Sequence, residues 1–264
     1  MMNRIVKVLC LSVVGLCMLF LLACTVRVFV CDRFVIKGES MSPTYESGEA
    51  VWVNKLLMGA RIYTDYDFDS TELHAFRMPG FRNAEVGDVV IFNYPFGHGH
   101  HRIEFRINYV YAKRILGCPG DTIGIRDGYY YNERHDAGSF GVPERQELLS
   151  HTPDSLLGYS PNAFPLSLDI GWTVYNSGPM TVPAKGMTVE LDELNTILYS
   201  LVIRYETGHK PRWDGTRCLI DGKAVESYTF TGDYYYLVGD NVLNSKDSRF
   251  FGFVPELYII GVIG

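Results

Sequence analysis

The chain has 264 residues, 47% of them hydrophobic and 14% aromatic, which is enough for one large domain or two modest ones around a buried core and excludes a disordered chain. Charged residues make up 20% and the net charge is −6, so neither a basic stripe for nucleic acid nor an acidic solvating arm is present. Tyrosine (18) and phenylalanine (15) beside 26 glycines and 12 prolines favour short strands joined by tight turns, and a mainly β body is expected.

Arg4 and Lys7 precede a run of 19 residues, Val8 to Val26, that carries no charge. At 1.5 Å per residue this is about 28 Å of helix, which crosses a hydrocarbon core of about 30 Å with slight thinning or with Val28 to Val30 included. Three roles are open to it: a cleaved secretory signal, a lipoprotein signal ending at Leu21-Leu22-Ala23-Cys24, and an uncleaved anchor. The length of the run and its apolar continuation through Val28, Phe29 and Val30 favour the anchor. Charge does not orient it, because Arg27, Arg33 and Lys37 balance Arg4 and Lys7. A short inner tail with the large domain exported is the usual outcome for such an anchor. Cys10, Cys17, Cys24 and Cys31 recur every seven residues and stack on one side of a helix, where they read as small packing residues toward lipid or a partner helix. Cys118 and Cys218 read as free thiols, since their spacing implies no pairing.

Beyond the anchor, strands are expected at Phe34–Ile36, Ala50–Val53, Val89–Tyr94 and Ile103–Tyr111. Ile123 to Asn132 contains Asp127-Gly128 and reads as a hairpin; Asp221-Gly222, between Arg217–Ile220 and Lys223–Val225, reads as another. Tyr234–Val238 and Leu257–Ile263 complete the strands. Leu191, Leu194, Ile197, Leu198 and Leu201 have helical spacing and predict a surface helix over Leu191–Arg204. The division expected is 1–33 for tail and anchor, 34–131 with 229–264 for a β domain, and 132–228 for an inserted second β-rich lobe.

Three polar motifs interrupt this pattern. The first is Gly38-Glu39-Ser40-Met41-Ser42-Pro43-Thr44, directly after a strand; alone, a serine in such a turn is ordinarily a turn former. The second is Lys113-Arg114-Ile115-Leu116-Gly117-Cys118-Pro119-Gly120-Asp121, where a lysine beside an arginine is ordinarily a solvated pair. The third is Gly239-Asp240-Asn241-Val242-Leu243-Asn244-Ser245-Lys246-Asp247-Ser248-Arg249, followed by Gly252-Phe253-Val254-Pro255, which alone could be an ordinary loop. In this order and spelling, with Gly87-Asp88-Val89-Val90 as a fourth segment, they resemble the bacterial type I signal peptidases. The resemblance covers roughly 34–54, 86–95, 109–132 and 218–257, under half of the chain, and is highly specific.

The resemblance implies an antiparallel β catalytic body in two lobes behind one transmembrane helix, and a serine endopeptidase without cofactor. It places the nucleophile on Ser40 and the general base on Lys113. That base must be neutral, yet a free lysine of pKa about 10.4 is only about 0.1% neutral near pH 7.4, so burial has to lower it. Ser245 resembles the family serine that orients the lysine, while Asp247 and Arg249 look like an ion pair fixing the loop and Asp240 a brace. The backbone N–H of Ser40 is the implied oxyanion donor. Some members add a serine hydroxyl two residues earlier; here that position is Gly38. A substrate lying along Ile36, Lys37 and Gly38, with Met41 beside it, could pair through its backbone. Implied partners are the lipid bilayer and secretory preproteins with small residues at the third and first positions before the cut. The implied location is the cytoplasmic membrane, single-pass, with the catalytic domain on the outer side. About fourteen residues after Val26 reach at most about 48 Å, which keeps the site near that membrane.

Rival readings exist. Gly97-His98-Gly99-His100-His101 could suggest a metal site, but no acidic or cysteine partner has supporting spacing, and a glycine-flexed hairpin tip is expected instead. None of the seven histidines lies in a recognisable Ser-His-Asp motif. Self-cleaving repressors share the Ser-Lys pair but carry a DNA-binding helix-turn-helix and no anchor. An inactive or binding-only anchored homologue is the alternative from another class, and the intact Ser40 and Lys113 argue against it.

Overall fold

The computed structural model describes residues 2–67, 69–97, 101–136, 140–167 and 170–264. Helix α1 (Met2–Phe29) runs unbroken for 28 residues, because the segment holds no proline and its one glycine, Gly15, meets no neighbour. Its apolar side chains stand exposed all round, as suits a helix solvated by lipid. Among the described residues it is the one helix long and apolar enough to cross a membrane. The chain then turns into β1 (Cys31–Val35), which pairs antiparallel with β2 (Ala50–Asn54). In β2 the alternation buries Val51 and Val53 and turns Trp52 outward.

A short hairpin, β3 (Arg61–Tyr63) with β4 (Ala75–Arg77), precedes β5 (Val89–Asn93), all five residues of which are buried. β5 pairs with β6 (Val110–Gly117). The hairpin β7 (Thr122–Arg126) and β8 (Tyr129–Asn132) turns at Asp127 and Gly128, whose φ values of 51° and 85° are the left-handed pair that an Asp-Gly turn supplies. Next come α2 (Pro143–Ser150), β9 (Ser177–Thr181), β10 (Thr188–Glu190), α3 (Glu193–Leu198) and α4 (Ser200–Thr207). The short strands β11 (Arg212–Trp213), β12 (Cys218–Ile220), β13 (Lys223–Val225) and β14 (Ser227–Thr229) follow. The chain ends with β15 (Tyr234–Val238), α5 (Ser248–Phe251), β16 (Val254–Pro255) and β17 (Ile259–Ile263).

The body is mainly antiparallel β. Its largest sheet has seven strands in the order β1-β2-β17-β5-β6-β15-β16, so the C-terminal strand is inserted between two early ones. One core packs on this sheet around Val90, Phe92, Ile115, Leu237 and Tyr258. A second joins Ile123, Tyr130 and Tyr236 to Leu149, Val174, Val202 and Ile203, so residues from 132–228 share a core with the strands on either side. β9 also pairs with β7.

The expected strand at Ile103–Tyr111 begins only at Val110. Ile103 and Phe105 are buried under a loop instead, and that loop's Arg106 and Ile107 carbonyls accept from the Asn93 amide at 3.0 and 3.1 Å. The expected surface helix Leu191–Arg204 is two helices, broken at Tyr199, and Leu198, Tyr199, Val202 and Ile203 are buried. It starts at Glu193 because Asp192 caps it, accepting from the Asn195 N–H at 2.7 Å. Helix α2 has proline in its first turn, a start signal that sequence reading passed over.

Candidate active site

Ser40 sits in the turn that leaves β1. Gly38 opens this turn at φ +77°, a conformation that disfavours any side chain, which accounts for glycine here. Met41, only 1% exposed, drives into the core and pins the turn from below. From across the fold, the Asn241 N–H donates to the Ser40 carbonyl at 3.1 Å and the Asn241 amide to the Glu39 carbonyl at 3.0 Å.

Lys113 lies in the middle of β6, directly opposite Val90 of β5, and is 3% exposed. Its Nζ donates to Ser40 Oγ at 2.5 Å and to the Ala112 carbonyl at 3.0 Å. Burial lowers its pKa to about 8, with Arg249 pushing the same way and Asp247 and Asp240 opposing. A pKa near 8 leaves roughly a fifth of the amine neutral at pH 7.4, against about 0.1% for a free lysine. A neutral amine at this distance can accept a hydroxyl proton.

Two buried ion pairs hold this arrangement. Asp247 and Arg249 are fully buried and bidentate, at 2.8 and 2.9 Å. Burial alone would raise the Asp247 pKa, but Arg249 and the Gly239 N–H, at 3.0 Å, hold it below its ordinary value. Asp240 receives Arg114 through both oxygens, at 2.8 and 2.6 Å, and the Thr44 hydroxyl at 2.5 Å. Arg114 also reaches the Gly87 carbonyl at 2.7 Å. Asp240 therefore ties the serine turn, the lysine strand and the Gly87 turn together. Thr44, Arg114, Asn241 and Ser248, which accepts the Leu237 N–H at 2.9 Å, were inside the motifs but had no assigned part. Only the fold shows what they meet.

Other expected site residues stand differently. The Ser245 hydroxyl is buried beside Gly239, where it helps hold the Asp247 carboxylate ionised, and it makes no hydrogen bond to the Lys113 amine. Ile36 is 5% exposed, and its N–H and carbonyl are already engaged by Glu49 and Gly48 at 2.8 and 2.9 Å. With Met41 also buried, Lys37 and Gly38 are the exposed members of the expected substrate edge. Of the histidine cluster, 98–100 fall outside the described residues. Among the described residues no group of three or more His, Cys, Asp or Glu could hold a metal. A cavity of about 860 Å³ lined by Glu72, Arg204 and Glu206 includes neither Ser40 nor Lys113.

Gly239 is wedged between Ser245 and the Ser40 carbonyl, with no room for a Cβ. Gly239→Ala is expected to cost about 1–3 kcal/mol by overpacking. A thermal unfolding midpoint equal to that of the unmutated chain would show that the two loops are not held this tightly.

The family model described as signal peptidase, peptidase S26, matches residues 10–158 and 215–264, well over half of the chain. A signal peptidase I of Buchnera aphidicola (subsp. Baizongia pistaciae) is 26% identical over 254 residues, covering 90% of this chain and 70% of the relative. The signal peptidase I of Aquifex aeolicus is 26% identical over 257 residues, covering 95% and 80%. A solved signal peptidase I from Enterococcus faecalis V583 superposes with 17% identity over 69% of this chain and 98% of the other, at a TM-score of 0.33, too loose to bear on the fold.

Proposed function

The chain belongs to the signal peptidase family, peptidase S26, and on that footing we propose that it removes signal peptides from exported preproteins by a Ser40–Lys113 dyad. The observation that carries this reading is the 2.5 Å contact between a buried Lys113 amine and the Ser40 hydroxyl. Neutral Lys113 takes the hydroxyl proton as Ser40 Oγ attacks the scissile carbonyl carbon. The carbonyl oxygen becomes an oxyanion next to the Ser40 N–H, which among the described residues has no other acceptor. The Lys113 ammonium then protonates the leaving amine, and the mature protein departs. Water, deprotonated by the again neutral Lys113, hydrolyses the acyl-enzyme and frees Ser40.

Helix α1 anchors the enzyme, with the β body on the outer side of the cytoplasmic membrane, where the apolar part of a signal peptide is still in the bilayer. The substrate extends along Lys37 and Gly38, and small residues at the third and first positions before the cut let its backbone approach. Purified full-length protein incubated with a preprotein should cut it, and Ser40→Ala should not. An unmutated chain that binds the preprotein without cutting it would favour the binding-only homologue.

The rate carries a second test. Desolvation penalises the ammonium, so kcat/KM should rise about tenfold per pH unit below pH 8 and level off above it. A flat profile between pH 6 and 9 would remove Lys113 from the role of base.

A further inference from the structure

A cavity of about 210 Å³ opens beside the last turn of α1, between Val28 on the helix and Phe34, Val110 and Ile260 on the strands. Its charged lining is Asp32, Lys55 and Arg61. Asp32 is already engaged, by Arg27 at 2.9 Å and by Lys55 at 3.6 Å. The Lys55 N–H donates to the Val30 carbonyl at 2.8 Å and its amine to the Arg27 carbonyl at 2.7 Å, which locks this turn to the helix end.

Arg61 has no such counter-charge. Its hydrogen bonds go to the neutral oxygens of Leu257 and Tyr258, at 2.8 and 3.4 Å, and of Tyr63 and Asn93, at 2.6 and 2.8 Å. Among the described residues no carboxylate pairs with it, and the Tyr63 ring lies 5.0 Å away. A largely desolvated guanidinium facing a cavity and lacking an anion is costly unless one is supplied from outside. On the other face of the β1–β2 hairpin, beside Val30 and Cys31, Trp52 is 58% and Leu56 38% exposed, as aromatic and apolar groups are at a bilayer interface. The cavity therefore stands where a helix leaves the hydrocarbon, at headgroup level.

We propose that this cavity binds the phosphate of an anionic phospholipid headgroup, held by Arg61 and Lys55 at the root of the membrane helix. The proposal rests on the membrane-anchored reading of α1. Bound lipid neutralises the guanidinium and fixes the tilt of the β body on its anchor, because one ligand then touches α1, the β1 edge and the turn after β2.

The test uses full-length protein in nanodiscs of mixed phosphatidylglycerol and phosphatidylcholine, with lipids retained after release counted by native mass spectrometry. The unmutated chain should retain phosphatidylglycerol in preference, and Arg61→Gln should weaken that retention about tenfold or more, the loss of one charge-assisted contact. Should Arg61→Gln not fold, Val28→Trp decides, since it fills the cavity from the helix and leaves the Arg61 hydrogen bonds intact; it too should lose the lipid. Equal retention of both lipids by the unmutated chain, or undiminished phosphatidylglycerol in Val28→Trp, overturns the proposal. Millimolar inorganic phosphate that stabilises the detergent-solubilised chain while phosphatidylglycerol shows no enrichment would assign the site to free phosphate and overturn the lipid. Preprotein cleavage read in the same samples separates the two ideas: an unmutated chain that enriches phosphatidylglycerol but cuts nothing refutes only the protease reading.

Discussion

Lys113→Met should abolish cleavage and, at neutral pH, make the folded chain more stable. Removing a general base costs about 10²- to 10⁴-fold in rate, and Lys113 Nζ is the group that meets Ser40 Oγ, at 2.5 Å. The stability gain follows from the same burial. Lys113 falls from 10.5 to about 8 on folding, so the unfolded chain binds its proton more tightly. At about 1.4 kcal/mol per unit, keeping it charged in the fold opposes stability by about 3 kcal/mol below pH 8. That penalty shrinks between pH 8 and 10.5 and vanishes above, so stability from this group rises with pH. Methionine avoids it and loses a hydrogen bond of about 1 kcal/mol, leaving a net gain of about 2 kcal/mol at pH 7 that fades toward pH 10.5. Denaturant unfolding of full-length protein in detergent at both pH values checks this. A methionine variant that is less stable at pH 7, or still cuts, contradicts the buried-base account.

Arg249→Met should have the largest effect on the fold itself. It leaves Asp247 ionised, fully buried and without its bidentate partner, a change that costs about 3–5 kcal/mol. The loss should be greatest near neutral pH, because at acid pH Asp247 can protonate and escape its isolation. Asp247→Leu combined with Arg249→Met should be milder than Arg249→Met alone, since no charge is then stranded. Cleavage should fall with the single change, because Asp247 also holds the Gly239 N–H against the Ser40 turn. A single variant with an unchanged unfolding midpoint would mean that the pair does not brace the loop.

Much of the architecture was legible locally. The uncharged run Val8–Val26 can satisfy its backbone only as a helix in lipid, and α1 spans it. Asp127-Gly128 and Asp221-Gly222 each required left-handed backbone, and each turns a hairpin. Ile103–Tyr109 misled because apolar residues under a buried loop have no period that marks them as non-strand. The split of Leu191–Arg204 at Tyr199 likewise came from packing on Phe230 and Phe253, partners distant in the chain.

The sequence by itself determined the apolar N-terminal helix, the β character and which polar segments stand out, because these depend on residue type and short-range spacing. It named Ser40 and Lys113 only through resemblance. Tertiary structure alone decided that two residues 73 positions apart close to 2.5 Å, that Asp240 joins Thr44, Arg114 and Gly87, and that Ser245 faces Gly239 and Asp247. A lysine's charge state depends on how much water surrounds its nitrogen, and that is set by β5, β6 and the 239–249 loop folding over it. No local spacing encodes such enclosure.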